Sequence, residues 1–159
     1  MPEDSRGFNA LEGEAVFNQI MEFLEQYSEK TSGDWSGYWY PLCTLKKETP
    51  VKAFDLNEIY KNGAIDEIKA VFDECGIIYA FSFQMQDRKL ENKDMQALIF
   101  ETDEDGYTFP WYIETYYFDK SREWMIYISH EGTITYTGKQ LAEAAVKHIE
   151  QKYFIGGRG

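Results

Sequence analysis

A series of short strand-like segments late in the chain is the feature that most constrains the fold. We predict strands over residues 77–84, 95–101, 107–118, 123–129 and 133–137, where β-branched and aromatic residues are frequent. The connections between successive segments are short, and short connections join antiparallel strands because parallel neighbours need a long crossover. The sequence therefore predicts an antiparallel sheet of about five strands.

Helical spacing of apolar residues predicts three helices, over residues 12–30, 64–75 and 139–154. Asp55, followed three positions later by Glu58, also matches the capped start of a helical turn. Because the strands are grouped rather than alternating with helices, we predict an α+β fold with N-terminal, middle and C-terminal helices packed on the sheet. One domain over residues 1–159 is expected, with residues 1–10 as a loose N-terminal arm.

The net charge of −12 is unevenly distributed along the chain. Residues 1–50 contain 9 acids and 4 bases, residues 51–105 contain 13 and 6, and residues 106–159 contain 6 of each. A negative field of this kind repels nucleic acid and anionic membranes and attracts a basic protein. Ordinary solubility is an equally good explanation of the same surplus.

Several features favour the cytoplasm and exclude a membrane protein. The N-terminal residues lack the apolar stretch of a signal peptide, and no apolar run approaches the ~18 residues that a membrane-spanning helix needs. The two cysteines, Cys43 and Cys75, are far apart and show no metal-ligand spacing. We therefore expect reduced thiols in a cytoplasmic protein.

His130 and Glu131 are either an acid–base pair or the tip of a hairpin. A zinc protease needs a second histidine four positions after the first on a helix, but that position is Ile134 and the local pattern is that of a strand. Ser129 adjoins His130, but adjacent strand residues point to opposite faces. Gly132 suits the left-handed position of a three-residue hairpin loop, so we predict an exposed hairpin end without metal.

Two further motifs fail on their spacing. Five residues separate Gly132 from Gly138, whereas a phosphate-binding loop of the Walker type has four between its glycines. The acidic stretch that begins at Glu101 starts like an EF-hand, but Tyr112 occupies the position of the essential bidentate acid. No nucleotide, calcium ion or other cofactor is therefore predicted, and no catalytic residue is assigned.

The aromatic strand over residues 107–118 has large rings on both faces. One face must cover the core, and the other is either covered by a helix or available to a partner, since Tyr and Trp are enriched in interfaces. The strand follows the acidic residues 101–105, which we expect to form a hairpin tip. A hairpin would place this acidic tip and the strand on one continuous edge. The predicted partner-binding residues are therefore the acids of the tip and two residues of the strand: Glu101, Asp103, Glu104, Asp105, Glu114 and Tyr116.

The stretch REWMIYISHEGTITYTG, residues 122–138, resembles a segment of small bacterial proteins, some of which are immunity-type proteins of polymorphic or contact-dependent toxin systems. The resemblance covers about the last third of the chain. It implies a non-catalytic protein that binds and blocks a toxin domain, and an acidic surface would compete for the basic cleft of a nuclease toxin.

Two other classes of function remain open on the sequence. One is a small hydrolase-type enzyme that uses His130 with Glu131, with Glu114 or with a cysteine. The other is a module that holds an apolar ligand in a cavity or on the sheet. A basic protein partner is the first expectation, and the oligomeric state is left open.

Overall fold

The protein was analysed as a computed structural model, which describes residues 50–84, 89–95, 115–118, 123–129 and 132–158. Within these ranges the chain forms seven strands, three α-helices and one turn of 3-10 helix. In chain order they are β1 (Val51–Asp55), α1 (Leu56–Lys61), α2 (Ile65–Cys75), β2 (Tyr79–Gln84), β3 (Lys89–Asp94), β4 (Thr115–Phe118), β5 (Met125–Ile128), β6 (Thr133–Thr137), α3 (Lys139–His148), the 3-10 helix (Gln151–Tyr153) and β7 (Phe154–Arg158).

The seven strands form one sheet in the order β3-β2-β4-β5-β6-β1-β7. Every pairing between neighbours is antiparallel. The predicted α+β class with an antiparallel sheet is therefore confirmed, with two strands more than the expected five. Strands β4, β5 and β6 are neighbours both in the chain and in the sheet, whereas β1 joins the sheet beyond β6 and pairs with β7 on its other side.

The helices pack against one face of the sheet, which we call the helix face. On this face Tyr117, Ile126 and Tyr136 lie opposite one another on three successive strands, and all three are buried. Phe72 of α2 and Leu141 of α3 belong to the same buried apolar cluster. Burial of a large apolar side chain contributes about 1.5–3 kcal/mol relative to its exposure, so this cluster is a main source of the fold's stability.

Helices α2 and α3 run antiparallel to each other. The Glu67 carboxylate, in the first turn of α2, accepts a 2.7 Å hydrogen bond from the backbone of Glu150, just beyond the end of α3. At the other end of the pair, the Cys75 thiol lies 3.8 Å from the backbone oxygen of Gln140 in the first turn of α3. These two contacts fix the direction of one helix relative to the other.

The opposite face of the sheet is also buried. Ala53, Thr135, Tyr127 and Tyr116 form a row across four strands on this second face, and none of them is more than 3% exposed. The hydroxyls of Ser129 and Thr133 lie 2.7 Å apart and form a buried hydrogen bond. The described part of the aromatic strand, β4, is thus buried on both of its faces.

Short-range signals in the sequence explain where the first two helices begin and end. The Asp55 carboxylate accepts a 3.1 Å hydrogen bond from the backbone N–H of Glu58, which confirms the predicted cap of α1. Helix α2 ends at Gly76, whose φ of 66° is the left-handed conformation that glycine adopts without strain. The predicted middle helix, residues 64–75, is confirmed to within one residue.

The predicted C-terminal helix is too long. It was expected over residues 139–154, but α3 ends at His148 because Ile149 is extended, with φ −96° and ψ 128°. Ile149 and Tyr153 are nevertheless buried, as the apolar spacing indicated. The 3-10 turn places Tyr153 in the core without a continuous α-helix, and this is why apolar spacing alone overestimated the helix length.

Three of the strands were not predicted. Strand β3 lies between the predicted strands over residues 77–84 and 95–101, where no strand was predicted, and four of its six residues are charged. Such a strand is typical of a sheet edge, where charge discourages pairing with other chains. Strand β1 is short and lies directly between a proline and a helix, so its sequence pattern did not indicate a strand. Strand β7 contains two glycines, and glycine is unfavourable inside strands.

Some predictions lie outside the described residues. These are the helix over residues 12–30, most of the strand over residues 95–101, and the part of the aromatic strand before Thr115. Met95, the first residue of the predicted second strand, has a helical conformation. Among the helices that the structure describes, none is long and apolar enough to cross a membrane.

Candidate functional site

The predicted acidic binding surface falls almost entirely outside the described residues. Its acids, which are Glu101, Asp103, Glu104, Asp105 and Glu114, all lie there. Of the net charge of −12, the residues that the structure describes carry only −2. The charge surplus on which the prediction depends is therefore a property of the remaining chain, and the binding role of these acids stays a prediction.

Tyr116 is the one predicted binding residue that the structure describes. It lies on the second face of β4, where its ring packs against Tyr127 of β5 with centroids 5.2 Å apart and planes inclined by 30°. Tyr116 is 3% exposed. Its ring thus contributes to packing within the protein, and its role in binding a partner stays a prediction.

The predicted hairpin between β5 and β6 is confirmed by the residues on either side of its tip. The backbone N–H of Ser129 donates to Thr133 O at 3.1 Å, and the N–H of Gly132 donates to Ser129 O at 3.1 Å. Gly132 has the positive φ, 80°, that the three-residue loop was expected to need. His130 and Glu131, between these anchors, lie outside the described residues.

The hairpin is anchored to the start of α1. The backbone oxygen of Gly132 accepts hydrogen bonds from Leu56 N at 2.9 Å and from Asn57 N at 3.2 Å. The first N–H groups of a helix have no partner within the helix, so this carbonyl satisfies two of them. The connection that carries His130 therefore begins and ends at positions fixed against a helix and a sheet.

A charged cluster joins α2 to α3. One oxygen of Glu74, Oε1, lies 2.8 Å from Lys147 Nζ and 2.8 Å from His148 Nε2. Hydrogen bonds from Lys147 and then from His148 lower the pKa of the Glu74 carboxyl below its ordinary value. Both Lys147 and His148 lie in the last turn of α3, where the helix dipole favours positive charge. The cluster has the chemistry of a helix-to-helix ion pair.

The Cys75 thiol is poorly suited to nucleophilic catalysis. Partial burial, and then the nearby charge of Glu74, raises the pKa of this thiol above its ordinary value. A cysteine reacts as its thiolate, so a raised pKa lowers the reactive fraction at neutral pH. The structure therefore gives no support to Cys75 as the nucleophile of a hydrolase. Cys43 lies outside the described residues.

Among the residues that the structure describes, one buried polar atom on the helix face has no hydrogen-bond partner. It is the hydroxyl oxygen of Tyr136, on β6. Burial raises the pKa of Tyr136 well above its ordinary value, and the charges of Tyr60 and Cys75 act in the same direction. A phenol in this environment stays neutral at physiological pH. It could donate a hydrogen bond, but it is not a general base.

The structure brings together groups that no sequence motif associates. Glu74 and His148 are 74 positions apart, and no motif signals their contact. The general preference for cations near a helix C-terminus is the one available signal, and it points to His148 but not to its partner. In the described ranges, no group of three or more His, Cys, Asp or Glu residues is arranged to hold a metal ion.

Comparisons with known proteins found no relative from which a function could be transferred. A scan against protein-family models, a search of curated proteins and a search of solved structures each gave no match to this chain.

Proposed function

We propose that the protein is a non-catalytic binding protein whose partner is a basic protein. The observation that carries this proposal is the charge distribution. The surplus of twelve negative charges lies entirely before residue 106, and residues 106–159 are neutral. A surplus of this size gives the molecule a negative field, which attracts and orients a positively charged partner.

The chemistry of the described residues supports binding rather than catalysis. Cys75 has a raised pKa, and the Glu74 carboxylate is engaged by the side chains of Lys147 and His148 on a neighbouring helix. On the sheet, both faces of β4, β5 and β6 are buried. These elements therefore act as a rigid support, and rigid supports commonly present binding loops.

The partner that we propose is a bacterial toxin domain, which an immunity-type protein would neutralise by direct contact. The support for this step is the resemblance of residues 122–138 to immunity-type proteins, together with the acidity of the chain. A toxin that cleaves nucleic acid needs a basic cleft for phosphate, and an acidic protein competes for the same cleft.

Capture of the partner tests the proposal. The full chain would be used as bait in lysate of its native cell, alongside a variant with Asp103→Asn, Glu104→Gln and Asp105→Asn. The matched control is Glu58→Gln, Asp66→Asn and Glu143→Gln, which removes the same charge from exposed positions on α1, α2 and α3. We expect one basic protein to be retained by the parent chain and the control, and to be lost with the acidic-tip variant.

Two results would contradict the proposal. The first is a retained partner that is acidic or neutral. The second is equal loss of the partner from the acidic-tip variant and the control, because that result would indicate a dependence on total charge rather than on the predicted surface. Circular dichroism of all three proteins establishes that they are folded.

A further inference from the structure

The loop between α1 and α2 contains the one Asn-Gly sequence of the chain, Asn62-Gly63. Both residues are exposed, and no atom outside the chain neighbours of Gly63 lies within 4 Å of the position that its Cβ would occupy. A backbone nitrogen can attack the side-chain amide of a preceding asparagine, and glycine hinders this attack least because it has no side chain. Asn62 and Gly63 therefore carry the two reacting groups of a spontaneous deamidation.

This reaction needs water as its only co-reactant. The Gly63 nitrogen gives up its proton and forms a bond to Cγ of Asn62, the Cγ–Nδ2 bond breaks, and Nδ2 leaves with that proton as ammonia. The product is a cyclic succinimide, which one water molecule then opens. Cleavage of the new nitrogen–Cγ bond gives aspartate, and cleavage of the original peptide bond gives isoaspartate, in which the backbone runs through the side chain.

In the folded protein the attacking nitrogen is engaged in the turn that ends α1. Gly63 has the left-handed φ of 68°, its N–H donates to Tyr60 O at 3.0 Å, and the N–H of Ala64 donates to Ile59 O at 2.9 Å. This pair of hydrogen bonds is a Schellman motif, a common ending of α-helices. The Gly63 nitrogen must leave its hydrogen bond before it reacts.

The amide of Asn62 is engaged at the same helix end. Its Nδ2, the leaving atom, donates a 2.8 Å hydrogen bond to Glu58 O. The ψ of Asn62 is 3°, so the Gly63 nitrogen is nearly eclipsed with the backbone nitrogen of Asn62 and is turned away from the Cβ that carries the amide. Ring closure therefore requires rotation about the Cα–C bond of Asn62 as well as the loss of both hydrogen bonds.

We propose that Asn62 is a site of spontaneous deamidation, and that opening of the Schellman motif at the end of α1 sets its rate. This inference is independent of the proposed function. Helix α1 has six residues, and a helix this short has little stability of its own, so it can open without unfolding of the whole sheet. The folded protein then reacts in proportion to the fraction of molecules in which α1 is open.

Either product weakens the end of α1. Aspartate at position 62 lacks the amide N–H that donates to Glu58 O, and it places a negative charge at a helix C-terminus, where the dipole disfavours it. Isoaspartate also lengthens the backbone, so the Schellman motif no longer closes with the same geometry. The backbone N–H groups of Leu56 and Asn57 hold Gly132 of the β5–β6 hairpin, and we expect the modification to weaken this anchor.

Peptide mass spectrometry of the full chain tests the proposal. Folded protein and protein unfolded in guanidinium chloride would be kept at the same mildly alkaline pH, because the attacking nitrogen must lose a proton, and then digested in mild acid to stop the reaction. We expect Asn62 to convert to aspartate and isoaspartate in both samples, at least about tenfold faster in the unfolded chain. Asn57, exposed on the same helix and followed by Glu58, is the internal control and should convert far more slowly in both.

A substitution at the other end of α1 tests whether opening of this helix sets the rate. Asp55→Ala removes the N-cap and should speed conversion of Asn62 in the folded chain by about fivefold, the factor to which the energy of such a cap corresponds. The control Glu143→Ala removes one charge from an exposed position on α3 and should leave the rate unchanged.

Three results would overturn the proposal. The first is the absence of conversion at Asn62 in the folded chain over several weeks. The second is an equal rate of conversion in the folded and unfolded chains, which would mean that the hydrogen bonds at the end of α1 do not restrain the reaction. The third is a rate for folded Asp55→Ala that equals the rate of the parent chain.

Discussion

Replacement of Tyr136 by phenylalanine should stabilise the protein. Tyr136 lies on β6 beneath the helices and is completely buried, yet its hydroxyl has no hydrogen-bond partner within the described part of the chain. In the unfolded chain the same hydroxyl is hydrogen-bonded to water. Folding therefore removes the hydroxyl from water without replacing its hydrogen bonds. Tyr136→Phe removes this unfavourable contribution and keeps the ring.

The expected size follows from two opposing effects. Burial of a hydroxyl without a partner costs about 1–3 kcal/mol. The oxygen also makes dispersion contacts of about 0.1–0.2 kcal/mol each, and a few of these are lost with it. The net stabilisation should be about 1 kcal/mol. For a chain of 159 residues this corresponds to a rise of about 3 °C in the unfolding temperature.

The pH dependence of unfolding supplies a second signature of the same substitution. The pKa of Tyr136 is raised in the folded protein by burial and by the charges of Tyr60 and Cys75. In the unfolded chain this phenol ionises with a pKa of about 10, whereas in the folded protein it stays neutral to a higher pH. The contribution of Tyr136 to stability is therefore fully present below about pH 10 and is lost as pH rises above it. The gain from Tyr136→Phe should therefore increase above about pH 10.

Urea unfolding followed by circular dichroism, at neutral pH and at alkaline pH, measures both effects. Tyr127→Phe is the matched control, because Tyr127 is equally buried on the neighbouring strand and its hydroxyl is not among the unpartnered atoms. The control should be neutral or destabilising. Destabilisation of about 1 kcal/mol or more by Tyr136→Phe would contradict this prediction, since it would mean that the hydroxyl has a partner.

Three further substitutions test the local structure by urea unfolding. Gly157→Ala should destabilise by about 2 kcal/mol and by more than Gly63→Ala, because a Cβ at Gly157 would lie 2.1 Å from the backbone oxygen of Val51, whereas Gly63 faces open space. Asp55→Ala should cost about 1 kcal/mol through loss of the α1 cap, and no change would contradict that role. Glu74 has a lowered pKa, so its contribution to the free energy of unfolding is present above its unfolded pKa and is lost as pH falls through the lower folded value. The difference in stability between the parent and Glu74→Gln should therefore shrink on acidification. A constant difference would be evidence against the ion pair.

Local signals in the sequence predicted the elements whose ends depend on neighbouring residues. Asp55 and Gly76 mark helix boundaries through their own backbone and side-chain chemistry, so both could be recognised without tertiary structure. Gly132 is a similar case, because the conformation of a short hairpin loop requires a glycine there. The antiparallel arrangement followed in the same way from the short connections between strands.

Features that depend on distant contacts could not be predicted. Strand β1 is a strand because it fits between β6 and β7, and its five residues carry little information about those neighbours. The contact between Glu74 and His148 exists because α2 and α3 pack antiparallel. The early end of α3 also depends on tertiary packing. The residues that were predicted to continue this helix form a 3-10 turn, and the turn buries Tyr153.

The salt dependence of association with the captured partner tests whether the protein binds through an acidic surface. Stopped-flow association rates would be measured between roughly 0.05 and 0.5 M NaCl, where the screening length changes severalfold. We predict a rate that falls steeply with salt for the parent chain, and a slower rate with a flatter dependence for the variant with Asp103→Asn, Glu104→Gln and Asp105→Asn. Association that is indifferent both to salt and to this triple substitution would contradict binding through an acidic surface.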